Sequence, residues 1–150
     1  MKILLLDDSV KHRRSGKRQL EGLGHEVVAM SSYFEAEELV RNETFDAALI
    51  DLLMPAEGRT LGADAAKEYL GREEGVGFPV AIQLARIGVK MVAVATDTNH
   101  HHHPMSAIVD WFGFSRPTVI NGAKVIFVHS PMSEDGTKDW AEVLRRLVES

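Results

Sequence analysis

The chain contains no cysteine. Disulfides and thiolate chemistry are therefore excluded, which suits a reducing compartment. There is no surplus of positive charge either: 17 Lys and Arg stand against 22 Asp and Glu, for a net charge of -5. Duplex binding relies on surplus cations that displace counterions, so direct nucleic-acid binding is not expected. No apolar run reaches the roughly 18 residues a membrane helix needs. The first apolar run ends at Asp7 and Asp8, too early for a signal peptide. Membrane association is not expected, and the cytoplasm is the simplest location. Three familiar loop motifs are also missing. Residues 9–15 hold no glycine, so no Gly-rich phosphate loop follows the first strand. Ser9 stands where an aspartate-nucleophile phosphatase would carry a second acid. His12 lies four residues after Asp8, which breaks a D-x-H-x-x-G cobalamin motif. Repeats, low-complexity tracts and linkers are absent as well.

What is present is a chain of 150 residues with 45% apolar and 26% charged residues. These values suit one globular domain spanning residues 1–150. Five short apolar runs stand out, at 3–6, 27–30, 47–53, 91–95 and 125–128. Each is continuous rather than alternating, as expected for strands buried on both faces. Segments with helical spacing separate or follow them, at 10–23, 34–41, 80–87, 105–112 and 139–148. Alternating strands and helices predict a doubly wound, five-stranded parallel sheet of the α/β class. Two connections exceed the usual 2–6 residues. One spans 55–79, after the third strand, with a possible extra helix at 63–70. The other spans 97–104, after the fourth strand.

In such sheets ligands bind beyond the carboxyl ends of the strands. Asp7 and Asp8 follow the first run, Asp51 closes the strand of the third, Thr96 follows the fourth, and His129 and Ser130 follow the fifth. Clustered carboxylates repel one another unless a cation joins them. Oxygen-only ligation suits Mg²⁺. A carboxylate beside that ion can attack phosphorus and form an aspartyl phosphate. The plain alternative is that these acids cap helices and turns.

With these residues in place, the chain resembles the receiver domain of two-component response regulators. The matching stretches are 2–9 (KILLLDDS), 45–55 (FDAALIDLLMP), 91–96 (MVAVAT) and 122–131 (GAKVIFVHSP), and Met54 and Pro55 follow Asp51 at +3 and +4. The resemblance implies a flavodoxin-like receiver fold, here with enlarged loops after strands 3 and 4. It implies that Asp51 is the phosphoacceptor and that Asp7, Asp8, Asp51 and the Leu53 backbone carbonyl hold Mg²⁺. Thr96 would be the switch hydroxyl and Phe127 the rotating aromatic. A sensor histidine kinase or phosphotransfer protein would supply the phosphoryl group, and output would run through protein contact. On this reading the chain is a phosphoacceptor with self-catalysed transfer rather than a dedicated enzyme.

One position departs from the family. Its lysine before a proline after the fifth strand is replaced by Ser130 before Pro131. Lys124 lies roughly 20 Å upstream of that point at the strand rise of about 3.3 Å per residue, and Lys90 is as far from Thr96. His129 and Arg59 are the remaining cation candidates. This departure, together with the two enlarged loops, keeps open a second reading, a pseudo-receiver that binds partners without regulated phosphorylation. The run His100, His101, His102 and His103 adds a possible transition-metal site to that reading. Of the other marks, the basic residues His12, Arg13, Arg14, Lys17 and Arg18 read as a solvated face or an acidic-partner contact. Trp111, Phe112 and Phe114 read as core.

Overall fold

Each continuous apolar run becomes a strand because its neighbours cover both of its faces. The computed structural model of the chain describes residues 1–112 and 117–150. In chain order the elements are β1 (Lys2–Leu6), α1 (Val10–Gly22), β2 (Glu26–Met30), α2 (Tyr33–Asn42), β3 (Ala47–Asp51), β4 (Met54–Pro55), α3 (Ala63–Tyr69), β5 (Glu73–Glu74), α4 (Gly77–Ile87), β6 (Met91–Thr96), α5 (Ile108–Phe112), β7 (Thr118–Ile120), β8 (Ala123–His129) and α6 (Trp140–Glu149). The main sheet has the order β2-β1-β3-β6-β8-β7. Its first five members pair in parallel, whereas β7 pairs antiparallel to β8. The expected five-stranded sheet is thus the parallel part of a six-stranded one. The extra strand escapes a search for apolar runs because it is three residues long. Its turn is legible all the same: Asn121 and Gly122 take φ of 50° and 78°, the positive values of a tight hairpin.

Alternation along each strand divides the core in two. Ile3, Leu5, Leu49, Ala93, Ile126 and Val128 pack with Leu20, Trp140, Val143 and Leu147, under α1 and α6. Leu4, Leu6, Ile50, Val94 and Phe127 pack with Ala36, Val80, Leu84 and Ile108, under α2, α4 and α5. Successive strand residues point to opposite faces, so both faces demand apolar side chains. Two glycines permit close approaches. A Cβ on Gly16 would lie 2.3 Å from Cδ1 of Trp140, so only glycine lets α1 settle on α6. A Cβ on Gly77 would lie 2.2 Å from the Asp51 carbonyl oxygen, so α4 can start directly behind the end of β3.

The long connection after β3 carries structure of its own. It holds a 3-10 turn at Gly58–Thr60, the expected extra helix as α3, and a short ladder of β4 with β5. It is tied to the start of α2, where Glu57 accepts from the Tyr33 N–H at 2.8 Å and from the Ser32 hydroxyl at 3.0 Å. The helix expected over 105–112 begins as a 3-10 turn at Pro104–Ala107 and becomes α5 at Ile108. Trp111 does not join the core: it is 79% exposed. Phe112 does pack inward, with its ring 5.1 Å from that of Phe127. Phe114 lies outside the described residues.

Candidate functional site

The site lies where the sheet order reverses direction, beyond the carboxyl ends of β1, β3 and β6. Leu6 pairs with Ile50, so the next residues, Asp7 just past β1 and Asp51 at the end of β3, come out side by side. Asp51 pairs in turn with Ala95, which precedes Thr96. Each acidic chain segment is held by local bonds. The Asp7 N–H donates to the Met30 carbonyl, and Asp7 Oδ1 accepts from the Ser9 N–H at 2.9 Å. Ser9 is the N-cap of α1. Arg13, one turn on, donates to the carbonyls of Asp7 and Asp8 at 2.7 and 3.0 Å. Part of the basic face of α1 is therefore bound to the site rather than solvated.

Oxygens of Asp7, Asp8 and Asp51 lie within 4.8 Å of one another. Asp7 is fully buried, Asp51 nearly so, and Asp8 reaches the surface. Among them lies a cation that sequence reading missed. Lys138, 1% exposed, places Nζ 2.7 Å from Asp51 Oδ2, 3.4 Å from Asp7 Oδ2 and 3.5 Å from Asp97 Oδ1. It also lies 5.8 Å above the Trp140 ring. Lys138 arrives at the end of an excursion between β8 and α6, directly before Asp139, the N-cap of α6. A third connection is therefore enlarged, and the search for a cation at the strand end could not find it. The available signal was the Thr137-Lys138-Asp139 step, a basic residue beside the last helix cap.

His129 and Arg59 do not fill that role. The His129 imidazole turns to Asp110, with Nε2 3.6 Å from Oδ1. Arg59 lies over the Phe34 ring. Ser130 uses its N–H on the Thr96 carbonyl and its hydroxyl on the Pro131 carbonyl. Thr96 is buried, and its Oγ1 accepts from the Thr98 N–H at 3.1 Å. Phe127 is sealed in the core between Phe78 and Phe112. Leu53 is buried just past Asp51.

Within the histidine run the His100 and His101 rings lie 4.1 Å apart, but the four side chains do not converge on one point. His100 faces Asp110 at 3.6 Å, His102 meets the Asn99 side chain at 2.9 Å, and His103 accepts from the Met105 N–H. Among the described residues, only Asp7, Asp8 and Asp51 bring three metal-ligating side chains together.

The electrostatics favour a further cation. Burial pushes the Asp51 carboxyl up to about 7, with Lys138 opposing and the Asp7 charge adding to the rise. Burial also raises Asp7, again against Lys138. Burial disfavours the Lys138 charge, but Asp51, Asp7 and Asp97 outweigh it and hold the ammonium above its ordinary range. One buried ammonium thus faces two buried carboxylates. Asp7 Oδ2 is buried without a well-formed hydrogen bond, and its charge partner is the Lys138 ammonium at 3.4 Å. An anionic oxygen so weakly bonded, beside two more carboxylates that share one ammonium, is a donor set that suits a hard divalent ion. The residues fit Mg²⁺.

No protein-family model matches the chain, and no curated protein matches it. Solved structures do. The signal receiver domain of a modulated diguanylate cyclase from Desulfovibrio desulfuricans G20 matches at 19% identity and TM-score 0.57, covering 99% of this chain and 90% of that one. A CheY-like response regulator receiver domain protein from Methanospirillum hungatei JF-1 gives the same values. A two-component response regulator from Clostridium difficile matches at 14% identity and TM-score 0.59, covering 99% and 96%. No helix of the described residues is long and apolar enough to cross a membrane. Over nearly its whole length, the chain has the flavodoxin-like α/β fold of CheY-like response regulator receiver domains.

Proposed function

We propose that the chain is a cytoplasmic phosphoreceiver in which Asp51 takes a phosphoryl group from a sensor histidine kinase or phosphotransfer protein. The observation that carries this reading is Lys138 Nζ, buried 2.7 Å from Asp51 Oδ2 in a three-carboxylate pocket. In the transfer, an Asp51 oxygen forms a bond to phosphorus as the P–N bond of the donor imidazole breaks. The electron pair returns to the leaving nitrogen. Asp51 must be ionised to attack, and Lys138 favours that form. Lys138 is also placed to pass from the carboxylate to the phosphoryl oxygens as charge builds on them. The Thr96 hydroxyl donates to the Thr98 carbonyl at 3.4 Å and can exchange that long bond for one donated to the phosphoryl oxygens. Phe127, against Phe78 and Phe112, would carry the resulting shift into the core. Asp7, Asp8, Asp51 and the Leu53 carbonyl would hold Mg²⁺. When bound, that ion supplies positive charge that offsets repulsion among the carboxylates and the phosphoryl oxygens.

The pseudo-receiver reading rested on Ser130 in place of the lysine and on the two enlarged loops. Lys138 answers the first of these grounds and favours the phosphoreceiver. Output through protein contact follows as part of the proposal. The test is incubation with Mg²⁺ and acetyl phosphate, read by mass. The expected result is a gain of one phosphoryl group, lost in Asp51→Asn. No gain in the parent protein overturns the reading.

A further inference from the structure

Lys138 is not carried by the strand that ends at the site. It hangs on a connection that folds back on itself after β8. Within it the Ser133 N–H donates to the Thr137 carbonyl, the Gly136 N–H to the Ser133 carbonyl, and the Asp139 N–H to the Pro131 carbonyl. Met132 and Lys138 form an isolated antiparallel bridge. Such an excursion has only local bonds of its own, so its tip needs an outside anchor to hold a buried ammonium in place.

The anchor is α1. The Lys138 N–H donates to His12 Nδ1 at 3.2 Å, and the Lys138 carbonyl accepts from Gln19 Nε2 at 3.2 Å. Both peptide groups of the lysine are therefore held by one helix. His12 and Gln19 are seven residues apart, two turns on the same face. Ser15 lies between them and shares a buried contact of 3.0 Å with the Thr137 hydroxyl. Gln19 Oε1 accepts from the N–H groups of Trp140 and Ala141 at 2.9 and 3.3 Å, and so also fixes the first turn of α6. Lys11 reaches the carbonyls of Asp135 and Gly136.

We infer that Gln19, with His12 and the Ser15–Thr137 pair, positions the Lys138 ammonium, so that α1 rather than the end of β8 sets where the pocket's cation stands. The inference rests on the phosphoreceiver reading for its consequence, because the cation serves phosphoryl transfer. It goes further by making α1 a part of the reacting geometry. A displacement of about 1 Å at a reacting group can cost up to a hundredfold in rate. Gln19 touches no reacting atom and acts only through Lys138.

The experiment combines Gln19→Leu with Lys138→Ala in a double-mutant cycle, reading the rate of phosphorylation by acetyl phosphate and the Mg²⁺ affinity by calorimetry. Gln19→Leu should slow phosphorylation about tenfold or more and leave Mg²⁺ affinity within about twofold. In the Lys138→Ala background the same change should add no further loss. Gln19→Glu keeps an acceptor for the α6 amides but loses the donor to Lys138. It should fold as the parent does and still be slowed. A second readout needs no phosphorylation: the slowly exchanging ¹⁵N signal of the buried Lys138 ammonium, assigned by its loss in Lys138→Ala. It should be present in the parent and lost or shifted in Gln19→Leu. An unchanged signal in Gln19→Leu, or an equal rate loss in both backgrounds, overturns the positioning role. A parent that shows the signal but takes no phosphoryl group overturns the function and leaves the positioning to the ammonium signal.

Discussion

Two clusters of acids and bases lie at the carboxyl edge of this sheet, and they differ in almost every physical respect. In the first, Lys138 sits among Asp51, Asp7 and Asp97, with its ammonium and two of the three carboxylates buried. In the second, Asp110 is bracketed by His100 and His129 at 3.6 Å each, and all three side chains are about half exposed. Composition makes them look alike, as a carboxylate between basic groups. Burial separates them. Water screens the second cluster, and separations of 3.6 Å are too long for hydrogen bonds. In the first, each unmatched charge is felt at full strength, which is why carboxyl values move there. Groups that interact strongly enough to perturb one another are also those equipped for chemistry.

The contrast can be broken at its strongest point first. Lys138→Met leaves the buried carboxylates without their ammonium. It should lower unfolding free energy by about 3–5 kcal/mol in denaturant titration, as breaking a buried pair does. A loss under 1 kcal/mol would mean that the pocket is wetter than its burial implies. Next comes the divalent cation. Mg²⁺ at about a hundred times its dissociation constant should stabilise the parent by about 2.7 kcal/mol. That gain should vanish in Asp8→Asn combined with Asp51→Asn.

The pH dependence has a definite sign. The folded value of Asp51 is about 7, above the ordinary 3.8. Its contribution to stability is therefore complete below about pH 4 and is lost as pH rises through about 7. Between about pH 5 and pH 7 the metal-free protein should lose roughly 2 kcal/mol from this group. Asp51→Asn should flatten that slope. The smallest effect belongs to the exposed cluster. Asp110→Asn should change stability by no more than about 0.5 kcal/mol, and that change should shrink further in high salt. A larger loss there would erase the distinction between the two clusters.

Much of the acidic edge is legible in the sequence. Asp7, Asp8, Asp51 and Thr96 follow apolar runs, and parallel pairing brings the ends of adjacent runs together. The five parallel strands and the extra helix α3 follow from local patterning for the same reason. Other features gave weaker signals. β7 is three residues long, and its Asn121-Gly122 turn is the only mark of it. Trp111 sits at an apolar position of a short helix, but α5 is too short and too near the edge to bury it. Nothing in the spacing of His129 announces that its ring turns to Asp110.

Lys138 marks the limit. By itself the sequence determined which strands would be buried and what stands at their ends, because the alternation of side chains and the polarity of a parallel sheet are local rules. It could not say which distant cation would close the pocket. Only the folded chain decided that, when α1 caught a loop more than 110 residues further along by bonds from His12 and Gln19. Contacts of that kind join residues with no fixed spacing, so no period in the sequence records them.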